Sequence, residues 1–282
     1  MEAVETGIPQ GSPISPVLFL FFNAPLIEQY ARAALPIQTG GFVDDVHLLV
    51  YSGSTENNCR VLHKAHDICL KWARTHGATF APKKYELVHL TRSPRRFNME
   101  ASLDFEGIKI DPGPSIRVLG LHVDTKLRWG PHIAQLTARA AGQKRALEYL
   151  AGSTWGAIFA RCRTVYSMVV RPMLTFAAPI WHHPRGVEGF SRKPSEKLAK
   201  IQNECLRKVT GAYRATPIPV LEAEASVAPL EYQLDKLVLQ HQALRGTHAN
   251  TREGNERIAR HFQGGRGRKR KRRPTPTVKK EA

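Results

Sequence analysis

Two adjacent aspartates, Asp44 and Asp45, stand between two short β-rich runs, 37–43 and 46–51. The pattern reads as a hairpin with two carboxylates at its tip. Carboxylates are hard oxygen donors of the kind that Mg²⁺ takes. In two-metal phosphoryl chemistry the cations sit roughly 3.5–4 Å apart and clamp the attacking and leaving oxygens. Phe42, Val43, Val46, Leu48 and Leu49 flank the pair and would anchor such a hairpin in a sheet. Aspartate is also common in turns because it bonds its own backbone. The pair alone leaves both readings open.

The elements around the pair are legible. Ser12-Pro13 opens an apolar segment in which Ile14, Val17, Leu18, Phe21, Phe22, Pro25 and Leu26 recur at three- and four-residue steps. That spacing predicts a helix to about Ala34, with Ser12 as its cap, Pro13 in its first turn and a kink at Pro25. After the hairpin, Ser54 or Thr55 caps a helix through His76. Its apolar stripe is Val61, Leu62, Ala65, Ile68, Cys69 and Trp72, and Gly77 ends it. Segments 85–91, 103–110 and 117–124 read as strands, with turns at Gly107 and at Asp111-Pro112-Gly113-Pro114. From Pro131 the periodicity turns helical, over about 131–151, 154–170, 171–180, 194–210 and 229–247. The fold class expected is α+β, with an antiparallel hairpin and helices first and a mainly helical region after it. The divisions expected are 1–127, 128–263 and a disordered basic tail, 264–282.

The formal net charge is +18 over 282 residues. Residues 266–282 hold nine Lys/Arg against one Glu, which accounts for +8 and leaves +10 on the rest. A basic body of this kind points to a polyanionic partner, most often nucleic acid. The cluster Arg266, Arg268, Lys269, Arg270, Lys271, Arg272 and Arg273 is similar to a nuclear-localisation signal and suggests a nuclear address. Non-specific phosphate binding and a solvated charge run are the other readings. Cys59, Cys69, Cys162 and Cys205 fit no common zinc spacing and read as reduced thiols. The pair His182-His183 lacks further ligands at suitable spacing. No apolar run approaches the roughly 20 residues that span a bilayer, so no membrane partner is expected.

The segment Gly7-Ile8-Pro9-Gln10-Gly11-Ser12-Pro13-Ile14-Ser15-Pro16-Val17-Leu18-Phe19 lies about 30 residues before Phe42-Val43-Asp44-Asp45. Together the two resemble the reverse transcriptases of non-LTR (LINE-type) retrotransposons. Later segments add to the resemblance: Phe80-Ala81-Pro82-Lys83-Lys84-Tyr85-Glu86, then Val118-Leu119-Gly120-Leu121-His122-Val123-Asp124 with Trp129 and His132. The residues around Gln202, Leu206, Thr210-Gly211-Ala212 and Pro229-Leu230 are similar to the helical region after the thumb of such enzymes. The resemblance covers about 5–245.

It implies a partial polymerase palm followed by a thumb-like region. The implied reaction is RNA-templated DNA synthesis, in which a primer 3′-OH attacks the α-phosphate of a deoxynucleoside triphosphate with two Mg²⁺ or Mn²⁺ ions. RNA template, DNA primer and triphosphates are the implied partners. Asp44 would ligate the metals, with Asp45 beside it as a second or weaker ligand. Gln10 and Gly11 would lie against the nascent base pair and incoming nucleotide, with Ser12 in the same nucleotide- and primer-binding set and Pro9 stiffening the loop; an ordinary turn proline is the alternative for Pro9. Gly11 permits close backbone approach. Lys84 matches the lysine near the triphosphate, although Tyr85 replaces the usual small hydroxyl residue after it. A solvated surface lysine is the alternative. Leu119-Gly120 would belong to the hairpin gripping the primer end, with an ordinary strand glycine as the alternative. Val43 departs from the commoner small residue at its place. Trp129 and His132 read either as buried thumb residues or as a base-stacking contact.

The same resemblance calls for one more metal-binding Asp on a strand upstream of Gly7, together with the fingers. The expectation is that an N-terminal polymerase segment is missing and that these 282 residues alone do not polymerise. Exposed apolar surface at the edge of the palm is expected with it. No endonuclease or ribonuclease H segment is recognisable. A non-catalytic nucleic-acid-binding remnant is the alternative function, and an unexpressed product a third.

Overall fold

The computed structural model describes residues 11–105, 107–151, 155–185 and 191–246. The chain divides into two compact units, Met1–His132 and Ile133–Ala282.

The first unit mixes helices with small antiparallel sheets. Helix α1 spans Ser15–Arg32 and runs unbroken through Pro25. Strands β1 (Ile37–Phe42) and β2 (Asp45–Val50) form a hairpin, and α2 (Thr55–His76) follows. The capping of α2 is as the sequence predicts. Ser54 Oγ accepts from the Asn57 amide at 3.1 Å, and Gly77 closes the helix at φ +64°, a conformation that glycine adopts without a Cβ penalty. The start of α1 is not as predicted. The helix begins at Ser15 after Ile14, with no side-chain cap, and Ser12 contributes its backbone carbonyl to the Ser15 amide. Pro13 disfavours helical backbone at the residue before it, so Ser12 stays outside the helix.

Leu26 and Tyr30 of α1 meet Ala65, Cys69, Trp72 and Ala73 of α2 in the core of this unit. Ile37, Val46 and Leu48 of the hairpin pack onto it. The outward side of α1 leaves Val17, Leu18 and Phe21 exposed, Phe21 at 73%.

The segment 103–110 is a hairpin rather than a strand: β3 (Leu103–Phe105) pairs with β4 (Ile108–Ile110). The segment 117–124 likewise belongs to a hairpin, β5 (Ser115–Val118) with β6 (Leu121–Asp124). Segment 85–91 forms no strand; it makes a bridge from Leu87 to Pro112, and the Thr91 amide donates to the Thr125 carbonyl. Pro112 and Pro114 have no amide to extend that ladder. Leu87, Leu103, Phe105 and Ile110 close over Cys59 of α2 as a second core cluster, with Tyr85 packed against it.

The second unit is helical. Most of α3 (Gly130–Leu150) lies in it, followed by α4 (Phe159–Val165), α5 (Arg171–Leu174), α6 (Ala178–Trp181), α7 (Lys193–Thr210), α8 (Ile218–Glu224) and α9 (Leu230–Gly246). Two predicted helices are broken. The first starts only at Phe159, after Gly156 at φ +105°. Between α4 and α5 the backbone widens into a π-turn over Tyr166–Val170. Pro172 explains the widening, because a proline ring clashes with the carbonyl four residues back. The second break falls at Ala177, at φ +55°. Helix α8 was not legible as periodicity and is set by Pro217 and Pro219 at its start. Among the described residues no helix is long and apolar enough to cross a membrane.

Candidate active site

The hairpin that carries the aspartates is tighter than the sequence suggests. Phe42 pairs with Asp45, so the loop is only Val43-Asp44, and Asp45 is already the first residue of β2. Both carboxylates are exposed. Val46 and Leu48 face the α1–α2 core. Asp45 and His47 alternate with them and lie on the other face, opposite Phe42 and Gly40.

The two-residue loop needs a positive φ, and Val43 supplies it at +53°. Two-residue hairpin loops with this backbone normally use Gly, Asn or Asp. A left-handed L-residue costs roughly 1–2 kcal/mol, and a branched Cβ does not ease it. The surroundings hold the turn. Asn23, buried on α1 at 8% exposure, donates its side-chain Nδ2 to the Val43 carbonyl at 2.5 Å. Helix α1 thus fixes the turn through a polar side chain and fixes the strands through its apolar ones.

Gly11 and Ser12 lie just before the start of the same helix. Gly11 is exposed at φ +86°, with no atom within 4 Å of where a Cβ would stand. Asn23 sits roughly two turns along from Ser15, about 12 Å at 1.5 Å per residue. One rigid element therefore bears both the Gly11-Ser12 loop and the anchor of the Asp44 turn. Pro9 and Gln10 lie outside the described residues, as does the basic cluster from Arg266 to Arg273.

Lys84 is exposed and ends a short 3₁₀ turn, Pro82–Lys84. Tyr85 after it turns inward. Its ring stands edge-on to Phe105 and its hydroxyl lies 3.4 Å from His66 Nε2. Burial, with a smaller contribution from Cys69, pushes that hydroxyl up to about 12. A tyrosine here fills the second core cluster, which accounts for the departure at this position. Leu119-Gly120 form the two-residue loop of the β5–β6 hairpin, both at positive φ (+47° and +84°), and Leu119 is half-exposed. This hairpin is a sheet separate from that of the aspartates.

Asp124, which closes the Val118–Asp124 segment of the resemblance, organises the turn into α3. Its carboxylate accepts from the amides of Trp129 at 2.6 Å and Arg128 at 3.1 Å, and its carbonyl accepts from Leu127. Leu127 and Trp129 hold positive φ there. Trp129 is half-buried and His132 fully buried, so this stretch serves the entry into the helix. Asn23 did leave a signal. It stands in register with Leu26 and Tyr30, the buried residues of α1, and a polar side chain in a buried stripe must find a partner.

In the second unit His182 is tied into a polar network. Its Nε2 meets Asp235 Oδ1 at 2.8 Å, while Arg185 Nε donates to Asp235 Oδ2 at 2.7 Å and stacks over Tyr232. Tyr166 donates its hydroxyl to Gln202 Oε1 at 2.6 Å, and Gln202 Nε2 donates to the Ala228 carbonyl.

Among the described residues no group of three or more His, Cys, Asp or Glu could hold a metal ion. Asp44 and Asp45 are exposed oxygen donors on a fixed turn. They fit a hard divalent cation as part of its coordination shell, the rest of which must come from elsewhere.

A profile of the family described as "Reverse transcriptase (RNA-dependent DNA polymerase)" matches residues 2–149. The chain belongs to the reverse transcriptase family. The match takes in the Gly11 loop, the Asp44 turn, Lys84 and the β5–β6 hairpin. This reverse transcriptase chain is 24% identical over 245 residues to a probable RNA-directed DNA polymerase from transposon BS of Drosophila melanogaster, covering 83% of the chain and 26% of that protein. It is 25% identical over 247 residues to a putative 115 kDa protein in the type-1 retrotransposable element R1DM of the same organism, with 86% and 23% covered. Against the RNA-directed DNA polymerase from mobile element jockey of Drosophila funebris it is 21% identical over 254 residues, with 89% and 27% covered. The chain spans about a quarter of the length of the curated relatives it matches. No solved structure matches it.

Proposed function

We propose that this chain carries the Asp44–Asp45 part of the nucleotidyl-transfer site of a retrotransposon RNA-directed DNA polymerase. The observation that supports this best is the Val43-Asp44 loop, which holds an exposed carboxylate in a strained turn fastened to α1. Strain of this kind, kept in place by surrounding structure, is common at functional sites. Asp44 would be the principal ligand of Mg²⁺ or Mn²⁺, and Asp45 a second or weaker one. Two such ions, when bound, neutralise charge on the transferring phosphate and lower the pKa of the attacking hydroxyl.

The remaining roles belong to the chain itself. Gly11, with open space where a Cβ would be, lets the incoming nucleotide and nascent base pair approach the backbone. Ser12 belongs to the same loop, and Pro9 and Gln10, outside the described residues, are assigned to the same nucleotide contact by the resemblance alone. Lys84 offers a solvent-facing ammonium to the triphosphate. Leu119 and Gly120 hold the primer end. RNA template, DNA primer and deoxynucleoside triphosphates are the partners. The basic tail from Arg266 to Arg273 directs the protein to the nucleus or grips phosphates.

Two carboxylates leave the metal shell incomplete, and we take the remaining ligand to come from another segment. The 282 residues alone then do not extend a primer. Primer extension on an RNA template with Mg²⁺ or Mn²⁺ tests both statements. A chain lengthened upstream should extend and lose extension with Asp44→Ala. Extension by the 282-residue chain would refute the need for a further ligand. Extension by the longer chain that survives Asp44→Ala would refute the site.

The net charge of +18 favours a second reading, a nucleic-acid-binding protein without catalysis. Binding that weakens steeply with salt, with no extension from either chain, would select it.

A further inference from the structure

We propose that Asn23 is the positioning residue of the Asp44 turn, acting through the Val43 carbonyl. The inference rests on the reading of Asp44 as a metal ligand and adds a residue that reading does not require.

The turn is closed by the Phe42–Asp45 pair but carries backbone strain that the pairing does not relieve. Its loop is two residues long, and its first residue is a valine at φ +53°, where glycine would relax. The Val43 carbonyl belongs to the peptide unit that leads directly into Asp44. Fixing that oxygen fixes the plane from which the Asp44 Cα, and then its carboxylate, project. The fixing group is a side-chain amide, which donates to the carbonyl at 2.5 Å from a helix packed by Leu26 and Tyr30. Asn23 is itself buried, in register with those two residues, so it has little freedom to follow the turn if the turn moves. A leucine at this place would fill the volume and pack at least as well. The amide is the feature that packing does not explain. Site geometry tolerates little looseness, since a ligand set must be held to within about 0.5 Å.

The test compares Mn²⁺ affinity, by electron paramagnetic resonance of the free ion, for the full chain and for Asn23→Leu, Asn23→Asp and Asp44→Ala. The leucine removes the donor at similar volume, and the aspartate sets an acceptor against an acceptor. Each is measured well below its own melting temperature, so that stability and affinity are read separately. The expected result is at least a threefold loss of affinity in both Asn23 variants and loss of the site in Asp44→Ala. A smaller change in folded Asn23 variants overturns the inference while leaving Asp44 as a ligand. Equal Mn²⁺ binding by the wild type and Asp44→Ala overturns the reading beneath it, and the inference falls with it. Should neither Asn23 variant fold, the wild-type protein decides. Slow exchange of the Asn23 side-chain amide, with a through-bond coupling to the Val43 carbonyl carbon, is required. Exchange as fast as that of a free asparagine overturns the proposal.

Discussion

Replacing Val43 with glycine and, separately, with alanine isolates the strain in the turn. Either change removes the methyl groups of a half-buried valine, so the comparison between them largely cancels the packing loss. At an ordinary position glycine is less stable than alanine by roughly 0.5–1 kcal/mol, because it has more backbone freedom to lose. At φ +53° the order should reverse. An L-residue there costs roughly 1–2 kcal/mol that glycine avoids. The difference leaves the glycine variant more stable by about 0.5–1 kcal/mol. The Asn23 bond is to a backbone carbonyl and survives both changes. Urea unfolding followed by fluorescence is the assay, since Trp72 lies 2% exposed in the core on which the hairpin rests. With a urea dependence of roughly 1–3 kcal/mol per molar, the midpoints should differ by about 0.2–1 M. Thr39, within the extended part of β1 and paired with Leu48, is the control, where alanine should remain ahead of glycine. An alanine variant at position 43 as stable as the glycine variant would refute the reasoning.

Asp124→Ala should destabilise the first unit by about 2 kcal/mol, because two backbone amides lose a charged acceptor; Asp124→Asn, which keeps one acceptor oxygen, should lose less on thermal melting. In the second unit Tyr166→Phe should cost about 1–2 kcal/mol by orphaning the buried Gln202 oxygen. A double-mutant cycle with Gln202→Leu should return a coupling of about 1 kcal/mol, and additive losses would contradict the bond. Burial raises the Asp235 carboxyl, but bonds from His182 and Arg185 outweigh it and hold it below its usual value. A depressed carboxylate contributes stability that is whole above its unfolded value of about 3.9 and is lost as pH falls through the folded one. Asp235→Asn should therefore flatten the stability profile of the second unit below about pH 4, measured by circular dichroism. Burial pushes the Cys205 thiol up to about 12, so a thiol reagent at pH 8 should reach it only at the rate of unfolding.

The sequence alone determined the local elements that short-range chemistry dictates. Helix α2 is the clearest case: a serine cap, a stripe at helical spacing and a closing glycine are all written within 24 residues of chain, and each matches the structure. The mixture of helices with small antiparallel strands was legible for the same reason, since patterning of period two or 3.6 acts over a few neighbours. The family was legible too, through the Gly7–Phe19 segment and the Asp-Asp turn. Where the sequence misled, a proline usually stood nearby. Pro13 kept Ser12 out of the cap, Pro112 ended a ladder before it began, and Pro172 widened a helix that the periodicity runs straight through.

Only the tertiary structure decided how the Asp44 turn is held. Nothing local to Val43-Asp44 selects a two-residue loop with a valine at positive φ; the turn is settled by packing of Val46 and Leu48 on α1 and α2 and by a hydrogen bond from a residue 20 positions away. The same holds for the Asp235 and Gln202 networks, whose partners lie 53 and 36 residues off. Hydrophobic periodicity carries no information about which distant polar group a buried amide or carboxylate will meet. That pairing exists only once the chain has folded and desolvation has made an unpaired partner costly. The two aspartates could be read from the sequence, and so could the need of Asn23 for a partner; that the partner is the Val43 carbonyl was decided only in the fold.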